Sequence, residues 1–180
     1  EWLSSDLELR SQLAKPLARV LEDKSMPNLV RPIKRAMLGN ILAQFGDPRQ
    51  GVGTLNGIPS IEWRHIAEGQ FISGEAGEDY SRVFNGYINR PYCISRYPIT
   101  VMQYQAFIEV QGYEQEKYWT EEGWAWRQFN RVLKPENYGQ GFGICNHPQV
   151  GISWYEAVAF CSWLSENISL NIRLPTETEW

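Results

Sequence analysis

Two segments with the form of a capped helix, separated by a long aromatic-rich stretch, constrain the fold of this chain most. Thr100 is followed three residues later by Gln103, and Ser153 is followed by Glu156 in the same way. In such a capping box the hydroxyl accepts from a free backbone N–H, and the longer side chain reaches back to the cap. Apolar residues then recur at helical spacing after both caps. The sequence therefore predicts two helices, with Gly112 ending the first.

The stretch of about 40 residues between these helices has no strong hydrophobic period. Six aromatic residues crowd its first part, between residues 113 and 129. We expect most of them to fill the core of an irregular fold, because such rings bury large areas. The alternative is that one or two of them line a binding surface, where Trp and Tyr supply rigid contact area. The candidates that we single out for binding are Tyr118, Trp119, Trp124 and Trp126.

The first part of the chain reads as helical. Residues 2–22 predict a helix that Pro16 interrupts, because proline removes a backbone donor. Residues 33–45 predict a second helix with one apolar face, and Gly46 is placed as its stop. We therefore assign residues 1–48 to an N-terminal helical segment.

The composition changes after this segment. Residues 49–60 are rich in glycine and proline and read as a linker. From residue 61 onward the pattern favours short strands, at 61–66, 70–73 and 87–97, with Pro91 indicating an edge or a bulge in the last of them. Overall we predict an α+β fold of short strands, two capped helices and long loops, and residues 61–180 as its domain.

Four motifs occur in order across residues 61–180 and resemble the formylglycine-generating enzymes, also called sulfatase-modifying factors. They are residues 66–74 (Ile-Ala-Glu-Gly-Gln-Phe-Ile-Ser-Gly), 92–107, 146–164 and 173–180 (Arg-Leu-Pro-Thr-Glu-Thr-Glu-Trp). The resemblance implies a C-type-lectin-like fold, of which this chain would hold the N-terminal portion. Residues 1–48 resemble the connector found where this domain ends multidomain bacterial signalling proteins or occurs in retroelement-diversified variable proteins.

The resemblance also bears on chemistry. The family's two catalytic cysteines, its copper chemistry and its calcium ligands lie downstream of the Arg-Leu-Pro-Thr-Glu string. It therefore implies no catalytic residue, no metal ligand and no cofactor within this chain, with copper or calcium entering only if a downstream part supplies the ligands.

The cysteines and histidines agree with that expectation. Cys161 lies on the apolar face of a predicted helix and Cys93 lies in a strand, so we expect both to be packed and inert. Cys145 is the thiol that we expect to be exposed, and a pair with His147 would be the one candidate nucleophile. The spacing of the two histidines and three cysteines matches no metal-binding motif.

The composition indicates which classes of partner and which cellular compartment to expect. The net charge is -4, with 17 basic and 21 acidic residues. This balance gives no electrostatic reason to expect nucleic acid or anionic membrane as a partner. An odd number of widely spaced cysteines, with neither a signal peptide nor a membrane span in view, predicts a cytoplasmic protein.

The leading functional prediction is a non-catalytic module that binds a protein or small ligand through its loops, as a diversified variable protein would. Its N-terminal helices would join it to a partner domain or a second protomer. The first alternative is a formylglycine-generating oxidase that acts on a sulfatase-type cysteine with catalytic cysteines downstream. The second is the sensor domain of a bacterial multidomain signalling protein.

Overall fold

The computed structural model describes residues 2–23, 25, 31–73 and 84–180. Its helices are α1 (Trp2–Glu22), α2 (Pro32–Phe45), α3 (Val101–Glu109), α4 (Glu121–Asn130) and α5 (Trp154–Ile168). Its strands are β1 (Thr54–Leu55), β2 (Ile58–Pro59), β3 (Trp63–Ile66), β4 (Gly69–Ser73), β5 (Phe84–Ile88) and β6 (Tyr92–Ser95). This is a mixed α+β chain, as predicted. No helix in these ranges is both long and apolar enough to cross a membrane.

Both predicted capping boxes are present. At the start of α3, the Gln103 backbone N–H donates to Thr100 Oγ1 over 3.2 Å, and the Thr100 N–H donates to Gln103 Oε1 over 3.0 Å. At the start of α5, Ser153 and Glu156 make the same two bonds. Because each box satisfies backbone groups that the first turn leaves free, both helices begin where the sequence places them.

The strands pair in three antiparallel couples, β1 with β2, β3 with β6 and β4 with β5. The last two couples follow one another along a single ribbon, from Ile66 opposite Tyr92 to Gly69 opposite Ile88. Two residues on one side of that break face three on the other, including Pro91. The prediction of one strand over 87–97 is therefore wrong, while the bulge expected at Pro91 is confirmed.

The helices α1 and α2 form an antiparallel hairpin. Ala14, Ala18 and Leu42 are buried between them, and Arg35 Nη2 donates to the Leu21 carbonyl over 3.2 Å. The helix predicted over residues 2–22 is confirmed as α1, which continues through Pro16. Pro16 lies on the exposed side of the helix, where water can reach the carbonyl left without a donor.

Residues 49–60, expected to be a linker, bond firmly to the start of α3. Thr100 Oγ1 donates to the Val52 carbonyl over 2.7 Å. The buried Gln103 amide donates to the carbonyls of Gly51, Gly53 and Ser60 at 2.8–3.2 Å. The segment thus contains the β1–β2 hairpin, which packs on the first turn of α3. The division of the chain into domains remains a prediction.

The main core lies between α3 and α5. The ring of Tyr104 stacks on Phe160 with centroids 5.1 Å apart, and Phe107, fully buried, packs against Trp163 at 5.6 Å. Residues of the predicted long loop complete this core, namely Tyr113, Tyr118 and Trp119. That stretch is less irregular than predicted, because it contains α4 and two short 3-10 turns, Gly112–Glu114 and Glu116–Tyr118.

Candidate functional site

The segment from Arg131 to Gly151 leaves the end of α4 and returns to the start of α5. Its two ends are joined where the Glu136 N–H donates to the Gly151 carbonyl over 2.7 Å. Gly151 has a φ of 72°, and a side chain there would overlap the Glu136 carbonyl, so this close crossing requires glycine. The crossing holds the base of the loop, while residues 137–143 within it are exposed.

Two adjoining clefts open along this loop, and we call them together the aromatic cleft. The larger has a volume of about 630 Å³ and lies between the loop and the first turn of α5. The smaller, about 410 Å³, lies between the loop and α3. The two share the wall formed by Lys134, Pro135, Glu136 and Tyr138. Clefts of this size accommodate small ligands or side chains of a bound peptide.

Large apolar side chains are exposed along this cleft. Leu133 is 65% exposed, Tyr138 54% and Phe142 51%. The Tyr138 and Phe142 rings meet edge to face, with centroids 6.0 Å apart. From Trp126, which lines the larger cleft, ring contacts lead outside the cleft through Tyr155 to Trp154, which is 61% exposed. Apolar surface concentrated in this way marks an interaction site more often than scattered apolar residues do.

The four residues predicted for binding separate into two groups. Tyr118 and Trp119 are 7% and 8% exposed and belong to the core, where Trp119 Nε1 donates to the Gly112 carbonyl over 3.1 Å. This burial corrects their assignment to a binding surface. Trp124 is half-buried between Trp119 and the Arg127 guanidinium. Trp126 alone of the four lines the aromatic cleft.

Sequence reasoning missed the most exposed apolar members of the cleft, Leu133, Tyr138 and Phe142. The available signal was weak: apolar residues interspersed with Pro135 and three glycines, without a helical or strand period. A residue in such a stretch can face either the core or the solvent, and only the tertiary packing decides which.

The polar groups of the larger cleft have different roles. Arg131 and Lys134 are exposed or half-buried beside Glu136 and can meet charged groups of a ligand. Glu156, at the floor, is engaged, because its carboxylate accepts from Tyr113 Oη over 2.6 Å and from the Ser153 N–H over 2.7 Å. Burial, together with the nearby Tyr104 and Glu156, raises the pKa of Tyr113 far above its usual range. This pair is therefore committed to structure rather than to proton transfer.

The cysteines are separated in space and differ in exposure. Cys161 is buried, and burial raises the pKa of its thiol to about 11, as suits an inert core residue. The other two expectations are wrong, because Cys93 is exposed and Cys145 is half-buried. Cys145 Sγ donates to the Ala43 carbonyl over 3.5 Å, while His147 Nε2 bonds Asn40 Oδ1 over 2.7 Å. Both side chains are thus bonded to α2 rather than to each other.

The side chains that could bind a metal ion are those of His, Cys, Asp and Glu. Across residues 2–23, 25, 31–73 and 84–180, no three His, Cys, Asp or Glu side chains are grouped so that they could hold a metal ion. The resemblance places the family's copper and calcium ligands downstream of these residues, and the described residues offer no separate set of ligands. We derive no chemical step through a metal, and ligands supplied from elsewhere remain a prediction.

A separate cleft of about 430 Å³ lies between β6 and the last residues of the chain. Its wall includes Arg173, whose guanidinium forms a two-pronged ion pair with Glu179, both bonds being 2.6 Å long. Tyr92 Oη donates to the Glu179 carbonyl over 2.6 Å. The hydrogen bonds from Arg173 hold the pKa of Glu179 at about 2. These contacts tie the final motif to β6.

Comparison with known families defines the class of protein to which this fold and these motifs correspond. Residues 62–180 match the model of the sulfatase-modifying factor enzyme 1-like domain. The match includes every motif singled out in the sequence, the core helices α3 and α5, and the aromatic cleft. The chain therefore belongs to this family, which confirms the resemblance to formylglycine-generating enzymes.

Individual relatives include proteins of different activities. The chain is 34% identical over 98 residues to hercynine oxygenase of Mycobacterium tuberculosis, covering 48% of this chain and 22% of that protein. It is 30% identical over 123 residues to serine/threonine-protein kinase pkn1 of Chlamydia caviae, covering 64% and 18%. It is also 30% identical over 118 residues to formylglycine-generating enzyme of Thermomonospora curvata, covering 50% and 36%. The chain thus spans about a fifth of the length of the first two, and their names do not determine its activity.

Proposed function

We propose that this chain is a recognition module that binds a protein or small ligand in the aromatic cleft of a C-type-lectin-like scaffold. The observation that carries the proposal is the exposed apolar surface along the cleft, formed by Leu133, Tyr138 and Phe142. Each of these side chains is more than half exposed, whereas Tyr118 and Trp119 of the same aromatic-rich region are buried. Some aromatic rings of this region therefore fill the core, while others remain exposed in the cleft. The cleft has the composition of a binding site.

The scaffold supports this role. Short strands and capped helices hold a long loop whose base is closed by the Glu136–Gly151 crossing, so the loop can vary in sequence without disturbing the core. Arg131 and Lys134 beside the rings favour a ligand that has a carboxylate or phosphate next to an apolar group. A peptide with an acidic residue beside an aromatic or aliphatic one has that chemistry.

A peptide-display selection tests the proposal directly. A random peptide library is selected on the purified protein and counter-selected on the double variant Tyr138→Ser, Phe142→Ser. We expect enriched peptides that bind the original protein at least about tenfold more tightly, because each exposed ring removed costs about 1 kcal/mol or more of contact. The matched control is Tyr87→Ser, which removes an equally exposed tyrosine from β5. Peptides that bind all three proteins alike, or no enrichment, would refute the proposal.

The rival function is oxidation of a sulfatase-type cysteine, favoured by the relative named formylglycine-generating enzyme. Its test uses a cysteine-containing sulfatase peptide, copper and oxygen, with trapping of the aldehyde by a hydrazide probe. Aldehyde formation that requires the protein would establish the oxidase and remove the recognition module. The third possibility, a sensor domain in a signalling protein, is favoured by the kinase relative and would use the same cleft.

A further inference from the structure

The α1–α2 hairpin carries large apolar side chains on the surface that it turns away from the rest of the chain. Their exposed fractions are far above those of core residues. They are Leu9 (55%), Leu13 (46%), Ile33 (71%), Met37 (59%) and Ile41 (40%). We call this set the outer apolar face. It lies apart from the aromatic cleft and plays no part in the function proposed above.

Contacts on the other side of the hairpin define which way this face points. Gly39, Asn40 and Ala43 of α2 bond to the segment 145–147, so that side of the helix meets the domain. With 3.6 residues per turn, Met37 and Ile41 are rotated away from these contacts. On α1, Lys15 and Arg19 line a shallow cleft beside Arg49 and Glu62, and Leu13 faces away from it. Both helices thus present their apolar side outward.

The spacing on this face is that of helices in bundles. Apolar residues on α1 recur at 9, 13, 16 and 20, alternating by four and three, as in the seam between packed helices. On α2 they recur at 33, 37 and 41. The charged residues beside this face, Arg10 and Lys34, lie near opposite ends of the hairpin. Leu13 and Ile41, at the centre, are uncharged and would not repel an identical surface.

The dimensions suit a second copy of the same hairpin. Two helices about 9 Å apart and about 20 Å long present a face of about 20 by 20 Å. Two such faces have a flat area of about 800 Å², and the relief of their side chains brings the accessible surface that they would bury to about 1,000 Å², the lower limit for a specific interface. A hairpin alone buries few residues, with only Ala14, Ala18 and Leu42 fully covered in its described part. A second hairpin would complete a four-helix bundle around a much larger core.

We propose that two copies of this chain associate through their outer apolar faces into a two-fold symmetric four-helix bundle. The same patch meets itself, as in most symmetric dimers. The arrangement leaves both aromatic clefts free, because no described residue of α1 or α2 lines the cleft.

Sedimentation equilibrium of the purified protein tests this proposal. We expect a weak dimer with a dissociation constant in the micromolar range, because the interface lies at the small end of specific interfaces and depends on a few apolar contacts. The double variant Leu13→Glu, Met37→Glu places two carboxylates in the seam, and we expect its dissociation constant to rise at least about 100-fold, to a monomer. Circular dichroism should show unchanged helix content, because both positions are exposed within their own hairpin.

Two controls separate this contact from other causes of association. Gln12→Glu with Ala36→Glu adds the same charge at exposed positions one residue away on the same helices, and should leave the dimer intact. Tyr138→Ser with Phe142→Ser should also leave it intact, because the aromatic cleft is elsewhere. A protein that stays monomeric up to about 100 μM, or a dimer that survives the Leu13→Glu, Met37→Glu change, would overturn the proposal.

Discussion

At Gly112 the backbone crosses directly over the buried ring of Phe107, so that a methyl group there would overlap the ring. Phe107 has no exposed surface and is held by Tyr104, Tyr113 and Trp163, so it cannot move aside. The close approach of the backbone to the Phe107 ring is therefore possible only because residue 112 has no side chain.

We expect Gly112→Ala to lower the free energy of unfolding by about 2 kcal/mol, the usual cost of overfilling a packed core. The matched control is Gly39→Ala in α2, where a methyl group has nothing within 4 Å and favours the helix. Urea unfolding measures both variants. A Gly112→Ala protein as stable as the Gly39→Ala protein would contradict this account of the core.

The ion pair between Arg173 and Glu179 should be visible as a displaced titration. The folded pKa of Glu179, about 2, lies below the ordinary value of 4.5, so its contribution is complete above pH 4.5 and is lost as the pH falls through about 2. We expect the Glu179 carboxyl, followed by NMR, to titrate near 2 and to return toward 4.5 in Arg173→Gln. Because Arg173 is half exposed, the effect on stability should be small. A midpoint near 4.5 in the original protein would show that the pair does not form in solution.

Among the elements, α3 holds the β1–β2 hairpin through one side chain. Gln103 is fully buried, and its side-chain NH₂ donates to three carbonyls of residues 51–60. Its side-chain oxygen accepts from the backbone N–H of the helix cap, Thr100. This glutamine therefore replaces the backbone pairing that a wider sheet would supply.

We expect Gln103→Ala to reduce the free energy of unfolding by about 3 kcal/mol, because it leaves buried carbonyls without donors. Gln105→Ala removes an exposed glutamine from the same helix and should change it by less than about 0.5 kcal/mol. Thermal or urea unfolding distinguishes them. Equal stabilities would mean that water replaces the amide and that the hairpin does not depend on Gln103.

The elements also show what sequence could and could not predict. The helices α3 and α5 were predictable because each capping box is a local signal that precedes a regular apolar stripe. The helix α4 was missed because Thr120 is followed at the third position by Gly123, which cannot complete a box. Its aromatic residues Trp124 and Trp126 are also two apart, a spacing that hides a helical period. The exposed cleft residues had no local signal, since their exposure depends on how the loop crosses itself at Gly151.

At the scale of the whole molecule, the described residues bond the helical hairpin to the domain from both helices. Glu22 of α1 pairs with Arg96 over 3.4 Å, and α2 and the residues just after it bond to the segment 145–147. Asn146 Nδ2 donates to the Gly39 carbonyl over 3.0 Å and to Asp47 Oδ2 over 2.9 Å. Asp47 also pairs with Arg49 at 2.6 Å. Burial alone would raise the pKa of Asp47, but the hydrogen bonds from Arg49 and Asn146 outweigh it and hold that pKa below its usual value.

We expect Asn146→Ala to loosen the hairpin without unfolding the domain. Losing two hydrogen bonds costs about 1–2 kcal/mol, so amide hydrogen exchange within α2 should accelerate roughly tenfold while α3 keeps its protection. Asn130→Ala, which removes an exposed asparagine bonded within α4, is the control and should change neither. Equal acceleration in α2 and α3 would show that hairpin and domain open as one unit.

The segment from Cys145 to His147 that receives the hairpin also bonds to the first turn of α3, where the N–H groups of Val101 and Met102 donate to its carbonyls. Val101 in turn lines the smaller part of the aromatic cleft. The backbone of residues 145–147 therefore connects the α1–α2 hairpin on one side to the cleft wall at the start of α3 on the other. A partner bound to the N-terminal hairpin therefore keeps a fixed orientation relative to a ligand in the aromatic cleft. The two N-terminal helices act as a rigid connection and not as a flexible linker.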